Sequence, residues 1–189
     1  MLENIPRFDI KLRKRSYTFL HLNQLEVGIS VREELGYLAL VDGKDSCQML
    51  LLAAICTHLS QSKDFLFLER ERAQFSDLIL FNGAIQPITL KDIKHIKRAM
   101  KHHRASLISL SEPANDHANS SNDSWKYNNQ LRVKADQHYV FINASTLGLQ
   151  LLVEECLHLA ESFSGYSHFD WYSTPSSVEL LIRNIARND

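Results

Sequence analysis

Apolar and polar residues alternate with a period of two through Tyr17–Leu22 and again through Val27–Val31, which predicts two strands. Asn23 and Gln24 turn the chain between them. Leu35–Val41 predicts a third strand, with Asp42-Gly43 as the turn that ends it. Asp45 or Ser46 then caps a helix near Asp45–Ser62 that is apolar on most sides from Met49 to Ile55. A helix of that kind belongs between layers. Strands follow at Asp64–Glu69 and Asp77–Asn82, joined by an exposed turn at Glu69–Arg72. Thr89-x-x-Asp92 opens a helix with Leu90, Ile93, Ile96 and Met100 on one face, and Ala105–Leu110 is a further short strand.

The pattern then breaks. Ser111–Gln130 is rich in Asn, Ser and Asp and almost empty of aliphatic side chains, so it cannot offset the entropy of ordering and is expected to be a loop or linker. Beyond it come strands around Leu131–Val133 and His138–Asn143. A helix over Ser145–Phe163, ended by Gly165, precedes strands at Tyr166–Tyr172 and Ser177–Ile185. Residues 1–15 are polar and end on Lys11, Arg13, Lys14 and Arg15, which predicts a solvated arm.

Two stretches repeat. Cys56–Ser62 reads CTHLSQS and Cys156–Ser162 reads CLHLAES, one hundred residues apart, and each lies late in a strand–helix–strand–strand run. The fold expected is α+β, with two βαββ-like halves, a possible internal duplication, and helices packed on mixed or antiparallel sheets. The boundaries are 1–110 for the N-terminal half, 111–130 for the linker and 131–189 for the C-terminal half.

The formal net charge of −1 conceals a polarity: residues 1–104 sum to +4 and residues 105–189 to −5. This is too mild for general nucleic-acid binding, but it lets each half favour partners of opposite sign. Cys47, Cys56 and Cys156 form no CxxC pair and are expected to be buried, reduced thiols. With no secretory pattern at the start and no apolar run near the length of a membrane span, the expected location is the cytoplasm.

Nucleotide-binding glycine loops, a GxSxG elbow and HExxH are all missing from the sequence. The best metal arrangement is Glu155-x-x-His158, joined by His168 and Asp170 from the next strand. It lacks the matching second motif of a di-metal bundle, since position 55 is Ile. The expectation is therefore no metal, no cofactor and no catalytic residue. Cys56 and Cys156 each have a His two positions on, but residues two apart on a helix diverge by about 200°, so neither pair is a dyad. Two charged surfaces remain. Gln150, Glu154, His158 and Glu161 form one exposed stripe, and Lys94, Lys97 and Lys101 lie on the most basic helix, with no aromatic residue among its charges.

The segment YVFINASTLGLQLLVEECLHLAESFSGYSHFDWYSTPSSVELLIRNI resembles small bacterial domains found among polymorphic-toxin immunity proteins. The features that match are Asn143 ending a strand, Gly148-Leu149 opening a helix, His168 with Asp170, and Ser177–Leu180. Phe169 stands where some such domains carry a second His. The resemblance implies a non-enzymatic protein that covers a toxin, with Glu154, Glu161, His168 and Asp170 as residues to test and a basic nuclease as a fitting partner. The expected function is thus protein binding. Nucleic-acid association through residues 89–104 is the alternative, and a metal-dependent enzyme using His158, His168 and Asp170 comes third.

Overall fold

The computed structural model describes residues 2–12, 15–113, 130–161, 165–169, 174 and 176–185. Within these the fold is α+β, with two mixed sheets and four helices. The first sheet contains β1 (Leu2–Leu12), β2 (Arg15–Asn23), β5 (Phe65–Glu69), β6 (Asp77–Asn82), β7 (Ser106–Leu110), β8 (Leu131–Ala135) and β9 (Tyr139–Ala144), in the order β7-β1-β2-β5-β6-β9-β8. The second contains β3 (Ile29–Glu34), β4 (Leu38–Gly43), β10 (Tyr166–His168) and β11 (Glu179–Asn184), in the order β10-β11-β4-β3. The helices are α1 (Gln24–Val27), α2 (Ser46–Gln61), α3 (Leu90–Met100) and α4 (Thr146–Glu161).

The period-two pattern divides the large sheet into two faces. Leu66, Leu68, Leu78 and Leu80 point into a core shared with α2, α4 and the inner face of the small sheet. Their neighbours Phe65, Phe67, Ile79 and Phe81 point the other way, into a second core closed by Ile93 and Ile96 of α3. Phe19 stacks on Phe65 and on Phe8 in this aromatic layer. Helices α2 and α4 pack on each other, and the Ser46 hydroxyl at the start of α2 donates to the Ala160 carbonyl at the end of α4. Asp45 and Gln48 make a full capping box on α2, and Thr89 with Asp92 makes another on α3. On α4 the Ser145 hydroxyl accepts from the Gly148 amide.

The strand–helix–strand–strand runs exchange sheets. β4 lies in the small sheet and leads through α2 to β5 and β6 in the large one, while β9 lies in the large sheet and leads through α4 to β10 and β11 in the small one. Each run therefore sends a strand to pair in parallel with the other: β6 with β9, and β11 with β4. The registers correspond pair for pair. Phe65 opposite Phe81 is matched by Tyr166 opposite Arg183, Asp77 beside Tyr139 by Glu179 beside Leu38, and Leu131 opposite Ala144 by Ile29 opposite Gly43. Both sheets, and one core, thus contain strands from either side of residues 111–130.

Several expectations need correction. Residues 2–12 are not a solvated arm but a strand between β2 and β7. Ile10 is buried, Phe8 and Leu12 pack on the aromatic core, and the Arg7 charge is matched by Asp64. Asp42-Gly43 is not a turn, because both residues continue β4. Asp42 is buried and accepts two bonds from Arg183, at 2.7 and 2.8 Å. Asn23 caps the short α1, so the strand expected from Val27 starts at Ile29. Cys56 and Cys156 are buried but Cys47 is exposed. The far ends of the helix expected to Phe163 and of the strand expected to Tyr172, and most of the expected linker, lie outside the described residues.

Candidate binding site

The residues singled out in the sequence separate into three places. Glu154, His158 and Glu161 lie exposed along α4 with Gln150, as the helical spacing requires. Glu155 faces inward enough to accept a 2.6 Å bond from the Ser167 hydroxyl of β10. His168 is exposed on β10, its Nδ1 2.6 Å from Glu179 on β11 and its ring edge-on to Tyr166. Among the described residues no group of three His, Cys, Asp or Glu side chains could hold a metal, and Asp170 lies outside them. The structure therefore joins His168 to Glu179 rather than to His158.

The basic helix α3 is not uniform. Lys94 and Lys101 are exposed, and with Lys91 and Arg98 they make no ion pair among the described residues. Lys97 turns inward, 2.6 Å from Glu69 and 3.4 Å from Asp77, and lies over the Phe67 ring. It belongs to the fold, which departs from the surface role expected of it. Burial disfavours its ammonium, but the bond to Glu69 and the charges of Asp77 and Glu69 outweigh that and raise its pKa. Glu69 in turn is lowered to about 2, chiefly by the hydrogen bond with His21, with burial opposing and Lys97 assisting.

A second polar cluster ties β1 to α2. Arg7 donates two bonds to Asp64, at 2.8 and 3.0 Å, and His58 Nε2 lies 2.7 Å from the same carboxylate. Burial opposes ionisation of Asp64, yet the bonds with His58, Arg7 and Thr18 prevail and hold it well below the ordinary carboxylate range. His58 is thus occupied structurally, while its counterpart His158 is exposed.

Sequence reasoning missed a groove on the α3 side of the large sheet, about 480 Å³ in volume, between the start of α3 and strands β8 and β9. Tyr139 and Phe141 form its floor with Phe81, the rings meeting edge to face. Lys134 stands opposite Phe141 and Arg132 opposite Asn143 in the β8–β9 ladder, so paired side chains share that face. A neighbouring polar hollow of about 540 Å³ shares Arg132 and Asn143 with it. The signal was present as Arg132-x-Lys134 and Tyr139-x-Phe141. What the sequence does not show is that the two rows lie side by side.

No family model, no curated protein and no solved structure matches this chain.

Proposed function

We propose that this chain is a non-enzymatic bacterial binding protein of immunity type, which takes a strand of a basic protein partner onto the outer edge of β10. One comparison inside the fold supports this. In the first run the outer edge of β5 is paired in parallel by β2. β10 holds the matching position in the second run, and among the described residues no strand lies on its outer edge. The amides of Asn184 and Phe169 alternate in bonding between β10 and β11, to Gly165 and from Phe169 to Leu180. That alternation turns the Tyr166 and His168 amides outward, where an added strand takes them up. Tyr166 is 57% exposed there.

The neighbouring helix supplies the sign of the charge. Ala54 of α2 is buried where its counterpart Glu154 of α4 is exposed, and Glu161 lies two turns on. A basic partner suits that stripe. The matched registers support reading the two runs as an internal repeat in which, among the described residues, only one copy has its outer edge filled from within. No helix of the described residues is long and apolar enough to cross a membrane. We place the protein in the cytoplasm, where its three thiols stay reduced.

The test uses tagged full-length chain as bait in its source cells, comparing wild type with Tyr166→Pro and with Glu154→Lys/Glu161→Lys. Proline at 166 removes an outward donor without touching the β11 ladder. The expected result is one stoichiometric protein partner, lost in both variants, whose binding protects the Tyr166 and His168 amides from exchange. A partner retained by both variants overturns the reading. A second reading, nucleic-acid association, is favoured by Lys91, Lys94, Arg98 and Lys101, which make no ion pair among the described residues. It predicts salt-sensitive binding lost in Lys94→Glu/Lys101→Glu.

A further inference from the structure

We infer that the groove between α3 and β8–β9 is a nucleotide site, in which an aromatic base lies on Tyr139 and Phe141 and its phosphate meets Arg132 and Lys134. This stands independently of the β10 edge, and its residues are not those of the α3 surface.

Four observations converge. The floor is aromatic: half-buried Tyr139 and Phe141 meet edge to face, and Phe141 meets the buried Phe81 in the same way. A flat π-face is what a base requires, and stacking tolerates any base. Arg132 and Lys134 are exposed, sit on the rim and make no ion pair among the described residues, so their charge is available to phosphate. The Asn143 side chain lines both the groove and the adjoining hollow, and its amide makes no hydrogen bond among the described residues. Gly83 permits its position, since a Cβ there would overlap the Asn143 amide. An amide offers both a donor and an acceptor to a base edge. Finally, the volume of about 480 Å³ lies in the range of small-ligand sites.

The charges set the ligand class. Among the described residues the one acid on the lining is Asp136, which accepts from the His138 and Tyr139 amides at 2.7 and 2.8 Å. The rim is therefore net cationic, which disfavours a cationic aromatic ligand and favours an anionic one. A free mononucleotide and a nucleotide of a single strand present the same base and phosphate.

The test is equilibrium binding by calorimetry on the full chain, with AMP, UMP, inorganic phosphate and an eight-residue oligothymidylate as probes. Both mononucleotides are expected to bind one to one and at least tenfold more tightly than phosphate. Arg132→Glu/Lys134→Glu is expected to weaken them at least tenfold with an unchanged melting temperature, because both positions are exposed. Tyr139→Leu, which keeps apolar bulk, is expected to weaken the nucleotides and leave phosphate unchanged. An oligonucleotide at least tenfold tighter than UMP identifies a strand as the source; equal affinity identifies the free nucleotide. No saturable nucleotide binding, binding unchanged in the double variant, or phosphate as tight as AMP overturns the inference.

Discussion

Lys97 reaches across from α3 to Glu69 on β5, 2.6 Å away, and so fastens the helix to the sheet at the point where it also covers the Phe67 ring. Its second acceptor, Asp77, has a side chain only 2% exposed. Lys97→Ala leaves that carboxylate with less compensation and is expected to cost about 1–3 kcal/mol. Lys94→Ala and Lys101→Ala, at exposed positions that make no ion pair among the described residues, should change stability by no more than about 0.5 kcal/mol. Urea denaturation of the three variants checks this, and equal losses at all three would contradict the assignment.

Acid should loosen the same region. Glu69 is depressed to about 2 from an ordinary 4.5, so its stabilising contribution is complete above pH 4.5 and is lost as the pH falls towards 2. Asp64, depressed by His58 and Arg7 against its burial, acts with the same sign. Glu69→Gln should therefore flatten the fall in stability across pH 4.5 to 2 by up to about one proton's slope, reduced by solvent screening at this partly exposed group. A melting-temperature series in acid, wild type against variant, measures it.

The thiols should divide by burial. Cys47 is exposed, while Cys56 and Cys156 are buried, and burial raises both of their pKa values, that of Cys56 to about 12. Under native conditions a thiol reagent is expected to modify Cys47 alone, with the other two reacting only in denaturant. Rapid modification of all three in the native protein would show that the α2–α4 contact opens readily.

Gly148 packs against backbone. A Cβ there would lie 2.5 Å from the Gln130 carbonyl oxygen, which cannot swing away as a flexible side chain can. Gly148→Ala is expected to destabilise by about 1–3 kcal/mol despite the better helix propensity of alanine. Thermal unfolding of the variant tests this.

Much of the fold could be read from the chain because its elements are strongly periodic. The all-round apolar run of α2, the Thr89–Asp92 box of α3 and the Gln150–Glu154–His158–Glu161 stripe of α4 all lie where spacing placed them. β1 was obscured because charged residues alternate with Phe8, Ile10 and Leu12; the charges drew attention from a regular alternation. The exchange of strands between sheets was not legible, since β6 beside β9 and β11 beside β4 are pairings between distant residues that no local pattern encodes. The groove was hidden for the same reason. Arg132 and Phe141 carry no mark of one another until β8 folds back on β9.

The place of β11 has a consequence for how the protein is made. It is an interior strand of the small sheet, between β10 and β4, yet it is formed by Glu179–Asn184, far along the chain from its partner β4 at Leu38–Gly43. While the ribosome is still adding those residues, β4 and β3 are a hairpin with one side unfilled, and the inner faces of both sheets have no complete core to close on. Native structure is thus deferred until Glu179–Asn184 have been added. A premature stop before Glu179 should yield not a shortened protein but an unfolded one, a ready substrate for chaperones and proteases.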